Sequence, residues 1–234
     1  MRYLAHLAIW LSLVLVPVGA QAIENNPVDR LNSAASILDK TMNLPEKGIP
    51  PALLRDAQGI AVIPGVIKAG FVIGGSYGRG VLTVRDKSGQ WSPPLFIKLV
   101  AGSVGWQAGA QSTDVVLVFK TRRSVEGLLH GKFTLGADAA VAAGPVGRQG
   151  EAATDVKLKA EIYSYSRSRG LFAGVSLQGA DLDIDHDAIA SYYGKDTTVG
   201  DVADGKVSEP SSAEHFMQVV HKATGQASPE AGHM

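Results

Sequence analysis

Three groups of residues in this sequence have types and spacings that could do chemistry. Gly74-Gly-Ser-Tyr-Gly78 fits the Gly-x-Ser-x-Gly pattern of a serine nucleophile. That pattern works on a sharp turn from a strand into a helix, where the serine oxygen stands clear of the sheet. Here strand-forming residues follow, Val81-Leu-Thr-Val84. Ser76 therefore reads as part of a glycine bend, and a hydrolase is the weakest functional class. Asp181-Leu-Asp-Ile-Asp185 resembles the opening of a calcium loop, but His186 and Tyr192 occupy the positions that need glycine and glutamate. Leu182 and Ile184 alternate with the acids, which is the pattern of a strand with a solvated acidic edge. The third group is cationic. Along Val156 to Arg169, Val156, Leu158, Ala160 and Ile162 point one way, and Lys157, Lys159, Glu161, Tyr163, Tyr165, Arg167 and Arg169 the other. Arginine forks grip phosphate, and tyrosine suits the boundary between a lipid headgroup and its chains. The competing reading is an ordinary solvated strand face, its arginines paired with acids such as Glu161 or Asp181.

Other chemistries lack their residues. His130, His186, His215 and His221 show no zinc spacing, and His-Glu-x-x-His, a Walker loop and a strand-linked Gly-x-Gly-x-x-Gly are absent from the sequence. The chain has no cysteine, which excludes disulfides, thiolate metal sites and a catalytic thiol. No enzymatic activity, cofactor or metal is expected. Lysine and arginine together number 22, as do aspartate and glutamate. That balance argues against a nucleic-acid partner, which a basic excess would mark.

The elements that must position these residues begin after a leader. Residues 1–22 carry Arg2, an apolar run from Leu7 to Val16 and a small-x-small end, Ala20-Gln-Ala22. This is the form of a cleaved signal peptide, and the run is too short to span a membrane. Asn26 to Met42 has helical period, with Val28, Leu31, Ala35, Leu38 and Met42 on one stripe, and Asp29, Arg30, Asp39 and Lys40 on the polar face. Pro50-Pro51 opens a short helix. Ile60 to Ile63 reads as a buried strand closed by Pro64-Gly65. Lys68 to Leu82 reads as strand, glycine bend, strand, with Gly74 and Gly75 at positions a β-carbon would obstruct. Leu95 to Val100, Gly102 to Ala110 and Val115 to Phe119 are further strands, the last apolar on both faces and so central. Thr121 to Leu129, Ala188 to Tyr193 and Ala213 to Ala223 read as helices, and 197–210 as a linker before the last of them. With 27 glycines and 6% aromatic residues, the fold expected is α+β. It has a strongly curved, mainly antiparallel, glycine-rich sheet, open or closed into a barrel, framed by N- and C-terminal helices. The domain expected spans 23–195, with 196–234 as linker, terminal helix and disordered tail.

Several longer motifs follow in order: Ala57-Gln-Gly-Ile-Ala-Val-Ile-Pro64, Lys68-Ala-Gly-Phe-Val-Ile-Gly-Gly75, Gly80-Val-Leu82, Trp91-Ser-Pro93, Gly105-x-Gln-x-Gly109, Gly136-Ala-Asp138, Ala143-Gly-Pro-Val-Gly-Arg148 and Tyr163-Ser-Tyr-Ser-Arg-Ser-Arg-Gly-Leu-Phe-Ala-Gly-Val-Ser176. Together they resemble the SYLF domain family over about residues 30–194. The resemblance implies phospholipid binding, chiefly of phosphoinositides in eukaryotic members, actin-filament binding in some fungal members, and no enzymatic activity. Two departures stand out. The helix from Asn26 is charge-balanced where lipid-binding relatives have a basic one, and the family's Asn-x-x-Phe-Tyr-Gly pattern appears as Ala188-x-x-Ser-Tyr-Tyr-Gly194.

The resulting expectation is an exported, periplasmic or secreted lipid-binding module for anionic phospholipid. Arg148, Arg167 and Arg169, from matched motifs, would hold headgroup phosphate. Lys68, Arg79, Lys157 and Lys159 would support them, and Tyr163 and Tyr165 would sit at the interface. The alternative is an envelope scaffold that meets a protein partner. The leader gives the first test. Protein isolated from its host should begin close to Ile23, and an N-terminal sequence still containing Leu7 to Val16 would overturn export with cleavage.

Overall fold

β-Branched and aromatic residues dominate the middle of the chain, and they pair there into one sheet. In a computed structural model of the protein, the described residues are 26–42, 48–70, 73–104, 109–146, 159–168 and 171–226. The leader and the tail beyond Gln226 lie outside them. The strands are β1 (Gly59–Gly70), β2 (Ile73–Val84), β3 (Leu95–Val104), β4 (Gly109–Phe119), β5 (Phe133–Thr134), β6 (Val141–Ala143), β7 (Ile162–Ser168), β8 (Leu171–Gly174) and β9 (Asp181–Ile184). They form a nine-stranded sheet in the order β5-β9-β3-β2-β1-β4-β7-β6, with β8 also on β7. Every pairing is antiparallel except that of β6 with β7. The sheet curls into a half-barrel with flanking helices, the α+β class expected from sequence.

The helices are α1 (Pro27–Met42), α2 (Pro51–Arg55), α3 (Arg122–Leu129), α4 (His186–Tyr193), α5 (Val199–Ala203) and α6 (Glu214–Thr224). Asn26 accepts a hydrogen bond from the Val28 amide and so caps α1. The side chains of Arg30, Ala34, Ile37 and Thr41 are buried beside Leu31, Ala35 and Leu38, so α1 inserts a band two rows wide. It packs against α6, and Lys222 reaches Asp39 across the pair at 3.2 Å. Trp91 donates from Nε1 to Thr224 Oγ1 at 3.1 Å, fixing the C-terminal end of α6 to the sheet. The stretch 197–210, expected as a linker, contains α5, closed by a capping box between Thr198 and Asp201. Val202 and Ala203 join the common core.

Two local expectations differ from the structure. Pro64-Gly65 does not close a strand. β1 runs through it, and its register against both β2 and β4 shifts by a residue there. Proline has no amide to donate, and a bulge is the place in a paired strand that tolerates it. Gly65, at φ 55°, turns its N–H to Asp114 Oδ1 at 3.1 Å. The glycine run is likewise not a bend. Gly74 to Gly80 lie inside continuous β2, and the reversal falls between the paired residues Gly70 and Gly74.

The glycines serve curvature by close approach, a little further along than expected. A β-carbon on Gly80 would lie 2.6 Å from the Val62 carbonyl oxygen and 2.7 Å from Ile63 Cγ1. One on Gly78 would lie 2.8 Å from both Ile63 Cγ2 and Val66 Cγ2. At Gly75 the nearest atom would be 3.6 Å away, an ordinary contact. Gly80→Ala should therefore destabilise the fold by about 1–3 kcal/mol in denaturant melts, while Gly75→Ala should be near neutral. Equal stability of the two variants would show that the inner glycines do not set the curl.

Candidate anion-binding site

The strongest concentration of charge sits between the sheet and the starts of two helices. Asp185 follows β9 and is the N-cap of α4, accepting from the Ala188 amide at 3.3 Å. Its side chain is 1% exposed. Arg30, in the first turns of α1 and 2% exposed, donates from Nη1 to Asp185 Oδ2 at 3.2 Å. Its guanidinium also lies 5.4 Å from the centre of the Phe96 ring, a cation–π contact. Lys98 Nζ is 3.1 Å from Asp185 Oδ1, and Arg79 Nε is 3.8 Å from Oδ2. Arg79 Nε donates to Tyr77 Oη at 2.8 Å.

The sheet register creates this arrangement. Arg79 on β2 and Lys98 on β3 are directly opposed, so they share a face. Tyr77 opposes Val100, and Phe96 opposes Val81, on that same face. Asp183 opposes Lys98 from β9, and the next alternate residue, Asp185, meets it from the strand end. Tyr192 packs edge-on to Phe96 at 5.2 Å between ring centres, which closes the apolar side of the cluster.

Electrostatics hold Asp185 ionised. Burial pushes its carboxyl up, but the hydrogen bond and charge of Lys98, the Ala188 amide and the charge of Arg30 outweigh burial and leave it below the usual carboxylate range. Burial lowers Arg30, an effect opposed by Asp185. An arginine keeps its proton under such a shift. Three cations thus surround one buried carboxylate. Arg79 and Lys98 are each 26% exposed, and Asp187, 97% exposed, lies 4.0 Å from Lys98.

The residues expected to form a headgroup face are not brought together. Strand β7 begins at Ile162, so Lys159 lies in the preceding loop, exposed, and not on a strand face with Arg167. Tyr163 and Tyr165 are buried, which corrects their expected place at a membrane interface. The Tyr163 hydroxyl accepts from the Ala160 amide at 3.1 Å, and the Tyr165 hydroxyl donates to the Pro145 carbonyl at 3.1 Å. Burial raises both phenols above their ordinary value. Gly144 lies against the Tyr165 ring, where a β-carbon would come within 2.0 Å. Arg167 pairs with Asp114 at 3.2 Å, and the same carboxylate holds the β1 bulge at Gly65. It is built into the sheet, as the bland reading of this face held, with Asp114 as the partner. Lys68 is exposed on β1. Arg148, Lys157 and Arg169 lie outside the described residues. Among the described candidates, Arg79 alone stands in the cluster.

Sequence reasoning missed Arg30, Lys98 and Asp185. Arg30 carried a usable signal. Ala34, Ile37 and Thr41 follow it at helical spacing, a row of small and apolar residues that a solvated arginine would not head. Among the described residues no group of three acids or histidines is placed to hold a metal ion, and no helix is long and apolar enough to cross a membrane.

The class of protein defined here is an α+β half-barrel with helices flanking the curled sheet. Residues 100–223 match the family described as Ysc84, Las17-binding protein actin regulator, and the chain belongs to that family, the SYLF family of the motifs above. It is 33% identical over 221 residues to LAS seventeen-binding protein 3 of Saccharomyces cerevisiae, covering 89% of this chain and 48% of the relative. It is 35% identical over 175 residues to Protein YSC84 of the same species, covering 74% of this chain and 37% of that one. Against SH3 domain-containing YSC84-like protein 1 of Xenopus laevis it is 33% identical over 212 residues, 86% and 63% of the two chains. The chain thus spans from about a third to under two thirds of the length of these relatives, the first of which is named as a binding protein.

Removing Asp185 tests the cluster. Asp185→Ala should destabilise by about 3–5 kcal/mol, because it strands buried Arg30. A carboxyl lowered by folding adds stability above its unfolded value of about 4, and that part is lost as pH falls below it. Asp185→Asn should therefore flatten the acid limb of the stability curve; an acid limb identical to the parent's would show that Asp185 is not held ionised.

Proposed function

We propose that the chain is an exported, non-enzymatic module that binds anionic phospholipid surfaces. The observation that carries this is the placement of Arg79 and Lys98, each partly exposed, on one sheet face beside Tyr77 and the exposed Val100. A cation pair next to apolar and phenolic surface suits a headgroup at the edge of its chains. Membership of the SYLF family, whose resemblance implies phospholipid binding, supports the reading. The leader sequence supports export, and an exported protein would meet anionic bilayer lipid in the envelope. A second reading, a protein-interaction module, is favoured by the printed names of the family and of the yeast relative, which refer to binding Las17.

Protein-free vesicles separate the two. Co-sedimentation should be stronger with phosphatidylglycerol than with phosphatidylcholine vesicles and should fall with added salt. Replacing both Arg79 and Lys98 by methionine should weaken binding by about 2 kcal/mol, from about 1 kcal/mol per basic residue at an anionic surface. Arg167→Ala should bind as the parent does and lose stability instead. No sedimentation with either vesicle would leave the protein-partner reading standing alone, and parent-like sedimentation by a folded double variant would remove the pair from the site.

A further inference from the structure

We propose that His221 is an acid-sensitive latch: protonating its buried ring releases the C-terminal helix α6 from the sheet and from α1 and α2.

α6 is held along one side and at its end. Phe216, Met217, Val219, Val220 and Ala223 are buried, and the helix packs on α1 and α2. Directed bonds fix the last turn. Thr224 Oγ1 donates to the Val220 carbonyl at 2.8 Å and accepts from Trp91 Nε1 at 3.1 Å. Gln226 donates from its amide to the His221 carbonyl at 3.0 Å, and from Nε2 to the Gly89 carbonyl at 3.2 Å. Gly225, at φ 68°, lets the chain turn back to make these bonds.

His221 lies inside this end, 5% exposed, and its Nδ1 is buried with no hydrogen-bond partner. Gln226 Oε1, an acceptor at the same helix end, is buried without one too, so the two do not meet. A neutral imidazole keeps one nitrogen without a proton, and leaving that atom unpaired costs little beside a buried charge. An imidazolium would make Nδ1 a charged donor with nothing to receive it.

The neighbouring charge has the wrong sign to help. Arg85, next after β2, acts on the ring. It is anchored: Nε donates to the Ala57 carbonyl at 2.8 Å, Nη1 to that of Gly89 at 2.8 Å and Nη2 to that of Arg55 at 3.1 Å. Its guanidinium also lies 4.5 Å from the centre of the Trp91 ring. The other charges on elements packed against α6 do not offset it. α1 carries Asp29, Arg30, Asp39 and Lys40, of which Asp39 pairs with Lys222 and Arg30 with Asp185. α2 brings Arg55, and Asp56 after it acts on Arg85. Asp86 accepts from the Ser88 and Gln90 amides. Glu209, Glu214 and His215 stand before and at the far end of α6. The negative end of the α6 dipole favours a cation, but it already has Lys222, and the His221 and Lys222 carbonyls are taken by the Gln226 and Gly225 amides.

Burial, and then the charge of Arg85, hold the ring below its ordinary value. A histidine lowered in this way adds stability above its unfolded value of about 6.5, and that part is lost as pH falls below it. This window lies above the one in which Asp185 acts. The penalty arises at the end of α6, so α6 opens before the sheet does.

The test is hydrogen exchange of the full chain by mass spectrometry at about pH 7.5 and about pH 5.5, which bracket the charge change of histidine. Rates are corrected for the intrinsic effect of pH, and the histidine ring resonances are titrated alongside. Peptides covering 214–226 should lose more protection in acid than peptides from β1 and β4. The ring resonance that disappears in His221→Gln should titrate below about 6.5. His221→Gln, neutral at both pH values, should keep its α6 protection in acid, and its melting temperature should fall less than the parent's, by about 2–4 °C. Should that variant not fold, titration and exchange of the parent decide alone, with the ring resonance assigned through its own backbone. A ring that titrates at or above the ordinary value, α6 protection that does not change with pH, a loss shared equally by β1 and β4, or a parent-like loss in the folded variant would each overturn the latch.

Discussion

A single buried carboxylate sets the relative placement of the parts. Asp185 ends β9, starts α4 and holds Arg30 of α1 against the face of β2 and β3. An ionised group in this position requires partners, because removing a charge from water without them is far more costly than any local packing gain. Such a pair adds little net stability over apolar residues of the same shape. It does penalise other placements of α1, since a slipped helix would leave both charges unpaired. A buried ion pair acting as a register device is the best-attested use of this arrangement.

The second constraint is curvature. The bulge at Pro64-Gly65 and the missing β-carbons at Gly78 and Gly80 let β1 and β2 close on their inner side. Asp114 ties this to the next strands by holding the Gly65 amide with one oxygen and Arg167 with the other. Arg167 thus contributes to shape. The tyrosines of β7 act likewise: their rings fill the layer between sheet and covering loops, and their hydroxyls satisfy a backbone amide and a backbone carbonyl.

These two constraints together leave Arg79 and Lys98 in an unusual position. Both lie within 4 Å of the buried carboxylate, and each is 26% exposed.

The sequence by itself determined the local elements and the class. Helical period gave α1, α3 and α6, and at the starts of the first two Asn26 and Thr121 accept from the Val28 and Ser124 amides. The apolar run Val115 to Phe119 is central, between β1 and β7. Alternating acids gave β9 as a strand with a solvated edge. Such features depend on neighbours in the chain, so residue type and spacing suffice. Tertiary structure decided which charges are buried. Arg30 reads as a polar-face residue and Asp185 as a third solvated acid until β9, α1 and the β2–β3 register bring them within 3.2 Å. Arg167 and Tyr165 read as a binding face until Asp114 and Pro145, 53 and 20 residues away in sequence, supply their partners. A side chain's partner across the sheet is fixed by strand order and curl, and neither is written in the period of any one segment.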